Sequence, residues 1–115
     1  MKISNIDTFI VDAGWRPWMF VKVETDEGVT GWGECSDGKS PHGIEGVIRD
    51  LKPVLIGKDP RAFEMRFNEM IINTRQSRGG IAAKALAGLD CAFIDIKAKS
   101  LGISVAELFG GPTRD

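Results

Sequence analysis

The first third of the chain alternates apolar and polar residues with the period of two that is typical of half-buried β-strands. Met19, Val21 and Val23 fall on one face of the second such segment, with polar residues on the other. Gly31 and Gly33 leave one face of the third segment bare, which would let another element approach closely. We expect a meander of three antiparallel strands over residues of about 1–35. The predicted strands are ISNIDTFIVD (3–12), MFVKVET (19–25) and VTGWGE (29–34), the last two joined by a tight turn at Asp26–Gly28.

From about residue 41 to 110 the apolar residues recur with helical spacing instead. Pro53 is expected to disturb the end of the first helix. Asp59 is interpreted as the N-cap of the second helix, with Pro60 at its first position. A long third helix is predicted over Gly80–Leu101 and is stopped by Gly102. The inner stripes are Ile44, Val47, Ile48 and Leu51 in the first helix, Phe63, Phe67, Met70, Ile71 and Thr74 in the second, and Ile81, Ala85, Leu89, Ala92, Phe93 and Ile96 in the third.

A capping box, SVAE at residues 104–107, predicts a short last helix that ends at the glycine pair 110–111. Met65 and Met70 are interpreted as residues that fill the core. Strands followed by helices define an α+β fold, here a three-stranded antiparallel meander followed by a helical bundle. We expect one domain covering residues 1–115.

The composition is that of an ordinary globular domain. The chain has 115 residues, of which 43% are hydrophobic and 27% charged, and its net charge is −1. It has no basic stripe and no apolar run near the roughly 20 residues of a membrane span, so neither nucleic acid nor a membrane is an expected partner. Cys35 and Cys91 lie far apart, which argues against a disulfide framework and predicts a reducing cytoplasm. Because His42 is the only histidine, a zinc site of several imidazoles is excluded.

Two loops carry more large and polar side chains than a simple turn requires. In the first, Gly14–Trp18, a tryptophan ring could lie on the C–H face of a sugar, and an arginine could bind hydroxyls or a carboxylate. The second loop, Cys35–Gly43, is rich in polar residues. A core position is the competing interpretation for Trp18, and solvated surface positions are the competing interpretation for Lys39 and His42. The candidate ligand-binding residues are Trp15, Arg16, Trp18, Asp37, Lys39 and His42, with Ser36 as a further polar candidate.

Several ionisable residues look reactive but fit structural roles better. On a helix with about 100° per residue, Lys97 and Lys99 point about 200° apart and cannot share one substrate. A lone carboxylate makes a poor Mg²⁺ site, so Asp90 and Asp95 are expected to be hydrogen-bonded anchors. For Asp95 the expected alternative is an i,i+4 pair with Lys99. Glu34 is expected to be structural and could orient the loop that follows it.

Two motifs carry a family resemblance: VKVETDEGVTGWGE (21–34) and ALAGLDCAFIDIKAKSLGISVAELFGG (85–111). With the layout between them, they resemble the N-terminal capping domain of the enolase superfamily, in the mandelate racemase and muconate lactonizing enzyme branch that includes sugar-acid dehydratases. The resemblance covers essentially the whole chain. It implies a three-stranded sheet on a helical bundle, placed over the mouth of a modified (β/α) barrel. That barrel is expected to follow residue 115.

In that family the barrel carries the chemistry, so the resemblance implies no catalytic and no metal-binding residue in this chain. Carboxylates of the barrel hold Mg²⁺, which binds the substrate carboxylate and stabilises an enediolate, while lysines or histidines move the α-proton. The loops Gly14–Trp18 and Cys35–Gly43 would be a mobile flap and a wall at the barrel mouth. Both would help to choose the substrate.

The resemblance thus predicts the substrate-specificity lid of a Mg²⁺-dependent enzyme that abstracts the α-proton of a carboxylate. Dehydration of a sugar acid is the first expectation. Racemisation, epimerisation and cycloisomerisation are alternatives, and so is a free-standing, non-catalytic α+β interaction module. The expected partners are the chain's own C-terminal barrel, a small carboxylate substrate and further copies in a homo-oligomer. The isolated chain is expected to be inactive.

Overall fold

The alternating segments form a three-stranded antiparallel sheet in the order β1-β2-β3, in a computed structural model that describes residues 1–114. Gly28, with a φ of 79°, makes the turn between the second and third strands. Met19, Val21 and Val23 are completely buried on the inner face, so the alternation predicted that face correctly. The strands are β1 (Ile3–Asp12), β2 (Pro17–Thr25) and β3 (Thr30–Glu34).

The helices cover the inner face of this sheet. Helix α3 begins and ends at the predicted residues, and Gly102 caps it in the left-handed conformation. The predicted capping box is present: the Ser104 hydroxyl accepts from the Glu107 backbone N–H, and the Glu107 carboxylate accepts from the Ser104 backbone N–H. The α+β prediction is therefore confirmed. Within the described residues, the helices are α1 (Pro41–Leu55), α2 (Phe63–Asn73), α3 (Gly80–Leu101) and α4 (Val105–Leu108).

The start of α2 differs from the prediction. Asp59 is not the N-cap, because its carboxylate accepts hydrogen bonds from the backbone N–H and the Nε–H of Arg61 instead. An aspartate oxygen that bonds two residues ahead forms a turn of its own and competes with helix capping. The helix therefore begins at Phe63, with Ala62 at the N-cap position.

Two side-chain predictions for the helices also need correction. Met65 is 59% exposed, whereas Met70 is buried as expected, because the two residues do not share one face of α2. Ile81 is 37% exposed at the first turn of α3. Helix α1 passes through Pro53 and continues to its end two residues later. In a last turn the missing N–H of a proline costs a single hydrogen bond, which the helix tolerates.

Gly31 and Gly33 let α3 lie directly on β3, as their bare face predicted. A Cβ atom on Gly33 would stand 1.9 Å from the carbonyl oxygen of Gly88. One on Gly31 would stand 2.1 Å from the carbonyl oxygen of Ala92. No side chain fits at these distances, so the backbones of the strand and the helix are in direct contact.

The ionisable residues of α3 have different surroundings. Asp95 Oδ2 accepts from the Trp32 backbone N–H at 3.0 Å and from Lys99 Nζ at 2.7 Å, so both the anchor and the ion pair are confirmed. The anchor prediction for Asp90 is wrong: its Oδ1 is buried and makes no hydrogen bond within residues 1–114. At about 100° per residue, Asp90 lies on the opposite side of α3 from Gly88 and Ala92, which face the sheet. Lys97 lines a groove away from β3, so the two lysines do not share a site.

Two ends of the molecule can be distinguished along α3. At its N-terminal end, Lys84 Nζ bonds the carboxylate of Asp37, in the loop after β3. Towards its C-terminal end, Lys99 Nζ donates to the Thr30 carbonyl oxygen at 2.8 Å, at the start of β3. Both candidate loops therefore lie at the end of the sheet that faces the start of α3. Among the helices of residues 1–114, none is long and apolar enough to cross a membrane.

Candidate functional site

The first candidate loop is a short hairpin turn, residues 13–16, between β1 and β2. The Ala13 N–H donates to the Arg16 carbonyl oxygen at 3.1 Å and closes the turn. Gly14 bends the chain with a φ of 90° and donates its N–H to Asp12 Oδ1 at 2.8 Å. These local bonds fix the backbone that carries the two large side chains of the turn.

Trp15 and Arg16 form a stack at the tip of this turn. Trp15 is 76% exposed, and the guanidinium carbon of Arg16 lies 4.4 Å from the centroid of its ring, in cation–π geometry. The Nε of Arg16 is buried and has no hydrogen-bond partner within the described residues. Its Cδ lies 4.0 Å from the position that a Cβ on Gly38 would take, so the arginine reaches the second loop. The two side chains line an open groove of about 480 Å³.

The second loop, residues 35–40, is fixed to the sheet by its first residues. The Ser36 hydroxyl accepts from the Met19 backbone N–H at 3.0 Å and donates to Glu34 Oε1 at 2.8 Å. Glu34 thus orients the loop that follows it, as expected. Gly38 bends the loop with a φ of 73°, at the point where the loop meets Arg16.

Asp37 is held by an ion pair with Lys84 at the start of α3. Lys84 Nζ donates to its Oδ1 at 2.8 Å, and the two side chains are 44% and 28% exposed for the lysine and the aspartate. This ion pair connects the loop to α3, and Asp37 remains a prediction as a specificity residue. No local pattern points to Lys84, because the ion pair joins residues 47 apart in the sequence.

Lys39 and His42 are exposed at the far side of this loop and at the first turn of α1. The His42 side chain is 86% exposed, and its Nδ1 lies 3.9 Å from Glu45 Oε1. Neither residue touches the Trp15–Arg16 stack in a described contact. Both remain predictions as specificity residues.

Trp18 lies in β2 rather than in the loop. It pairs with Val11, is 40% exposed, and packs edge-to-face on Phe20. The strand begins at Pro17, and its alternation turns Trp18 towards the outer face of the sheet because Met19 points inward. The core interpretation of Trp18 is therefore wrong, and Trp18 remains a prediction as a specificity residue.

The arrangement is suited to recognition more than to reaction. Within residues 1–114, no three side chains of the His, Cys, Asp and Glu types come together as a metal site. Burial raises the pKa of the Cys35 thiol to about 11, which keeps it protonated and unreactive at neutral pH. The exposed groups at the junction of the loops are an aromatic ring and a guanidinium, which can offer a flat apolar surface and hydrogen-bond donors.

Comparison with known proteins agrees with this fold. A family model described as mandelate racemase / muconate lactonizing enzyme, N-terminal domain, matches residues 6–110. The enolase N-terminal type of capping domain predicted from the sequence is thus confirmed as the class. This chain belongs to the mandelate racemase / muconate lactonizing enzyme N-terminal domain family.

The similar proteins are much longer enzymes. The D-galactonate dehydratase of Variovorax paradoxus (strain S110) is 40% identical over all 115 residues, and this chain spans 29% of its length. An enolase from Pantoea ananatis with bound D-gluconate and Mg has a TM-score of 0.94 and 34% identity, over 99% of this chain and 28% of that one. The 3,6-anhydro-D-galactonate cycloisomerase from Zobellia galactanivorans has a TM-score of 0.92 and 30% identity, over 99% and 33% of the two chains.

Proposed function

We propose that this chain is the capping domain of a longer enolase-superfamily enzyme that abstracts the α-proton of a carboxylate and dehydrates a sugar acid. The similarity to the D-galactonate dehydratase supports the reaction. The D-gluconate bound to the Pantoea ananatis protein supports a sugar acid as the substrate. In this proposal the 13–16 turn and the 35–40 loop form a lid that selects the substrate.

The observation that carries the lid role is the Trp15–Arg16 stack at the junction of the two loops. The Trp15 ring is 76% exposed in this turn and is therefore accessible to a ligand. The ring offers a flat apolar surface to the C–H groups of a sugar, and the guanidinium offers donors to hydroxyls or a carboxylate. The buried Arg16 Nε has no partner among residues 1–114, so a ligand oxygen that reached it would satisfy a donor left unpaired by these residues.

The described residues do not fit a Mg²⁺ site, because they include no cluster of carboxylates that could surround the ion. We assign Mg²⁺ and the proton-transfer groups to the remainder of the longer protein, its expected barrel. The residues of this chain would exclude water and orient the substrate when the loops close. The isolated chain, mixed with Mg²⁺ and a panel of sugar acids, should therefore show no turnover, and measurable turnover would contradict this division of roles.

The longer protein is further proposed to be a homo-oligomer of the reducing cytoplasm. Phe9, Trp18 and Trp32 support association, because each is at least 40% exposed on the outer face of the sheet. The free thiols of Cys35 and Cys91 support a reducing compartment. Light scattering of the purified protein tests the first statement, and cell fractionation tests the second.

The lid proposal can be tested with matched pairs of variants in the protein translated from its natural gene past residue 115. Trp15→Ala and Arg16→Gln should each raise KM for D-galactonate or D-gluconate by about tenfold, the loss of roughly 1.4 kcal/mol of binding. The control Arg49→Gln removes a guanidinium from α1, and the control Met65→Ala removes an exposed apolar side chain from α2. Equal effects of site and control variants on KM and on substrate preference would refute the lid role.

A cycloisomerase or epimerase is the second candidate, because the Zobellia galactanivorans cycloisomerase has a similar fold over this domain. The product separates the reactions: a dehydratase releases one water from the sugar acid, whereas an isomerase leaves the mass unchanged. Mass spectrometry of the product of the full protein decides between them. A free-standing binding module would instead require that the natural gene stop at residue 115.

A further inference from the structure

Strand β1 lies at the edge of the sheet, because the strand order is β1-β2-β3. The first part of this edge is closed. The Ile3 N–H donates to the Lys58 carbonyl oxygen at 2.8 Å, and the register then shifts between Ile3 and Asn5. Lys52 Nζ donates to the Ile6 carbonyl oxygen at 2.9 Å. Irregularities and lysines of this kind stop a further strand from pairing with an edge.

The rest of β1 has no strand on its outer side in the described part of the chain. Opposite residues of an antiparallel pair alternate between bonding each other and turning their backbone groups away from each other. Met19 is opposite Ile10, and its carbonyl oxygen accepts from the Cys35 N–H on the β3 side at 2.9 Å. The backbone groups of Ile10 therefore point away from β2, and by alternation so do those of Thr8 and Asp12. These three residues and the two between them are called here the open edge.

The open edge is apolar on both faces of the sheet. Phe9 and Val11 lie on the outer face and are 42% and 47% exposed. Ile10 lies on the inner face and is 38% exposed. The segment contains no proline, and its only charged residue is Asp12. An edge with outward N–H and C=O groups and apolar side chains is a template for another extended strand.

The sequence of the open edge is complementary to itself. When two copies pair antiparallel with Ile10 opposite Ile10, Thr8 of each copy lies opposite Asp12 of the other, and Phe9 lies opposite Val11. Every residue whose backbone groups point outward then meets another such residue. This register also sets an aromatic residue against a β-branched one and keeps the two aspartates apart. A shift by two residues in either direction removes one of these pairings.

We propose that the open edge of β1 pairs antiparallel with the open edge of a second copy, about a two-fold axis at Ile10. The two sheets join into one continuous sheet, and the contact is isologous because both copies use the same residues. Closure by a two-fold axis covers the open edge of both copies, so no third copy can add there. The inference rests on the homo-oligomer of the proposed function, specifies its contact surface, and does not depend on the substrate.

Ile10→Lys tests this surface in the protein translated past residue 115, because it sets two positive charges opposite each other at the two-fold axis. The matched control Ile72→Lys makes the same change on α2, where Ile72 is 62% exposed. In sedimentation equilibrium, Ile10→Lys should reduce the mass of the assembly to half or less, and the control should leave it unchanged. An unchanged mass for Ile10→Lys would overturn the proposal.

A charge exchange tests the register itself. Ile10→Glu alone should have the same reduced mass as Ile10→Lys. An equimolar mixture of the two variants should recover the mass of the native assembly, because opposite charges then face each other across the axis. A mixture that is no heavier than its components would overturn the pairing of Ile10 with itself.

Amide hydrogen exchange tests the native sequence without any substitution. The Thr8 and Ile10 amides should exchange at least about tenfold more slowly in the assembly than after dilution to monomers. The Phe9 and Val11 amides, which face β2, are the internal controls and should not change. Fast exchange of Thr8 and Ile10 in the assembly would overturn the proposal. Protection that persists in monomers would assign the edge to another part of the same chain and would also overturn it.

These outcomes separate the edge pairing from the proposed function. A native protein that is a monomer would contradict both the homo-oligomer and the pairing, whereas an oligomer that Ile10→Lys leaves intact would contradict the pairing alone. A paired edge in a protein with no activity on sugar acids would support the pairing and contradict the proposed reaction. Mass and exchange are measured instead of activity because Ile10 also lines the groove beside Trp15.

Discussion

The direct contact between β3 and α3 gives the sharpest stability prediction, the effect of Gly33→Ala. The new Cβ would stand 1.9 Å from the Gly88 carbonyl oxygen, and Cβ contacts below 3.0 Å essentially do not occur. The helix and the strand must therefore separate by more than about 1 Å, and neither partner is a flexible side chain that could move aside. Because overpacking costs about 1–3 kcal/mol even where side chains move aside, we expect the free energy of unfolding to fall by about 3 kcal/mol.

Gly46→Ala is the matched control within the same chain. Gly46 lies in α1, and no atom stands within 4 Å of the position of an added Cβ. Alanine replaces glycine there with better helix propensity, so this variant should be more stable by about 0.5–1 kcal/mol. The same chemical change is thus expected to have opposite signs at the two sites.

Urea unfolding followed by circular dichroism measures both variants, and thermal melting checks them. A loss of about 3 kcal/mol corresponds to a fall in Tm of roughly 12 °C or more for a domain of this size. If Gly33→Ala unfolds at the same urea concentration as the native sequence, the close contact is not required. The account of the glycines in β3 is then wrong.

Three further predictions concern charged groups. Lys84→Met should make the loop that contains Asp37 easier to cleave by protease. The loss of global stability should be at most about 1 kcal/mol, because the ion pair is partly exposed. Unchanged cleavage would show that this ion pair does not hold the loop. The Arg61 guanidinium lowers the pKa of Asp59 to about 2 through its hydrogen bonds, so this carboxylate stabilises the fold above its unfolded pKa and the contribution is lost as the pH falls towards 2. Arg61→Gln should raise the pKa of Asp59 in an NMR titration. An unchanged pKa would contradict the assignment. The stability contribution of Asp90 has the opposite pH dependence, because burial raises its pKa: the contribution is present at low pH and is lost as the pH rises. Asp90→Asn should therefore raise the stability of the isolated chain in urea unfolding at neutral pH. A lower stability of the variant at that pH would refute this.

Local patterns predicted most of the scaffold. The alternation in β2 predicted its buried face, and the two glycines of β3 predicted a closely packed neighbouring element. The ends of α3 followed from its apolar period and from Gly102. The capping box at Ser104 marked the start of α4. Each of these signals lies within a few residues of the structure that it specifies, so no tertiary information was needed.

The misread residues share a different cause. Asp59 is a residue type favoured at N-caps, but its carboxylate accepts hydrogen bonds from Arg61, two residues later, instead. The position of Trp18 depends on where β2 begins. The strand begins at Pro17, two residues earlier than predicted, which places Trp18 on the outer face of the sheet. The pairing of Asp37 with Lys84 joins distant parts of the chain. Competition between hydrogen-bond partners, and contacts between residues distant in the sequence, cannot be predicted from a local pattern.

Helix α3 has a mechanical consequence beyond its part in the core. Its 22 residues form a rod about 33 Å long. One end holds the 35–40 loop through Lys84, and the other is bonded to β3 through Lys99. Because α3 is one continuous helix packed on β3, a shift of the helix would move the 35–40 loop with it. Under the proposed lid role, substitutions along α3 would therefore change the substrate range without altering the Trp15–Arg16 stack.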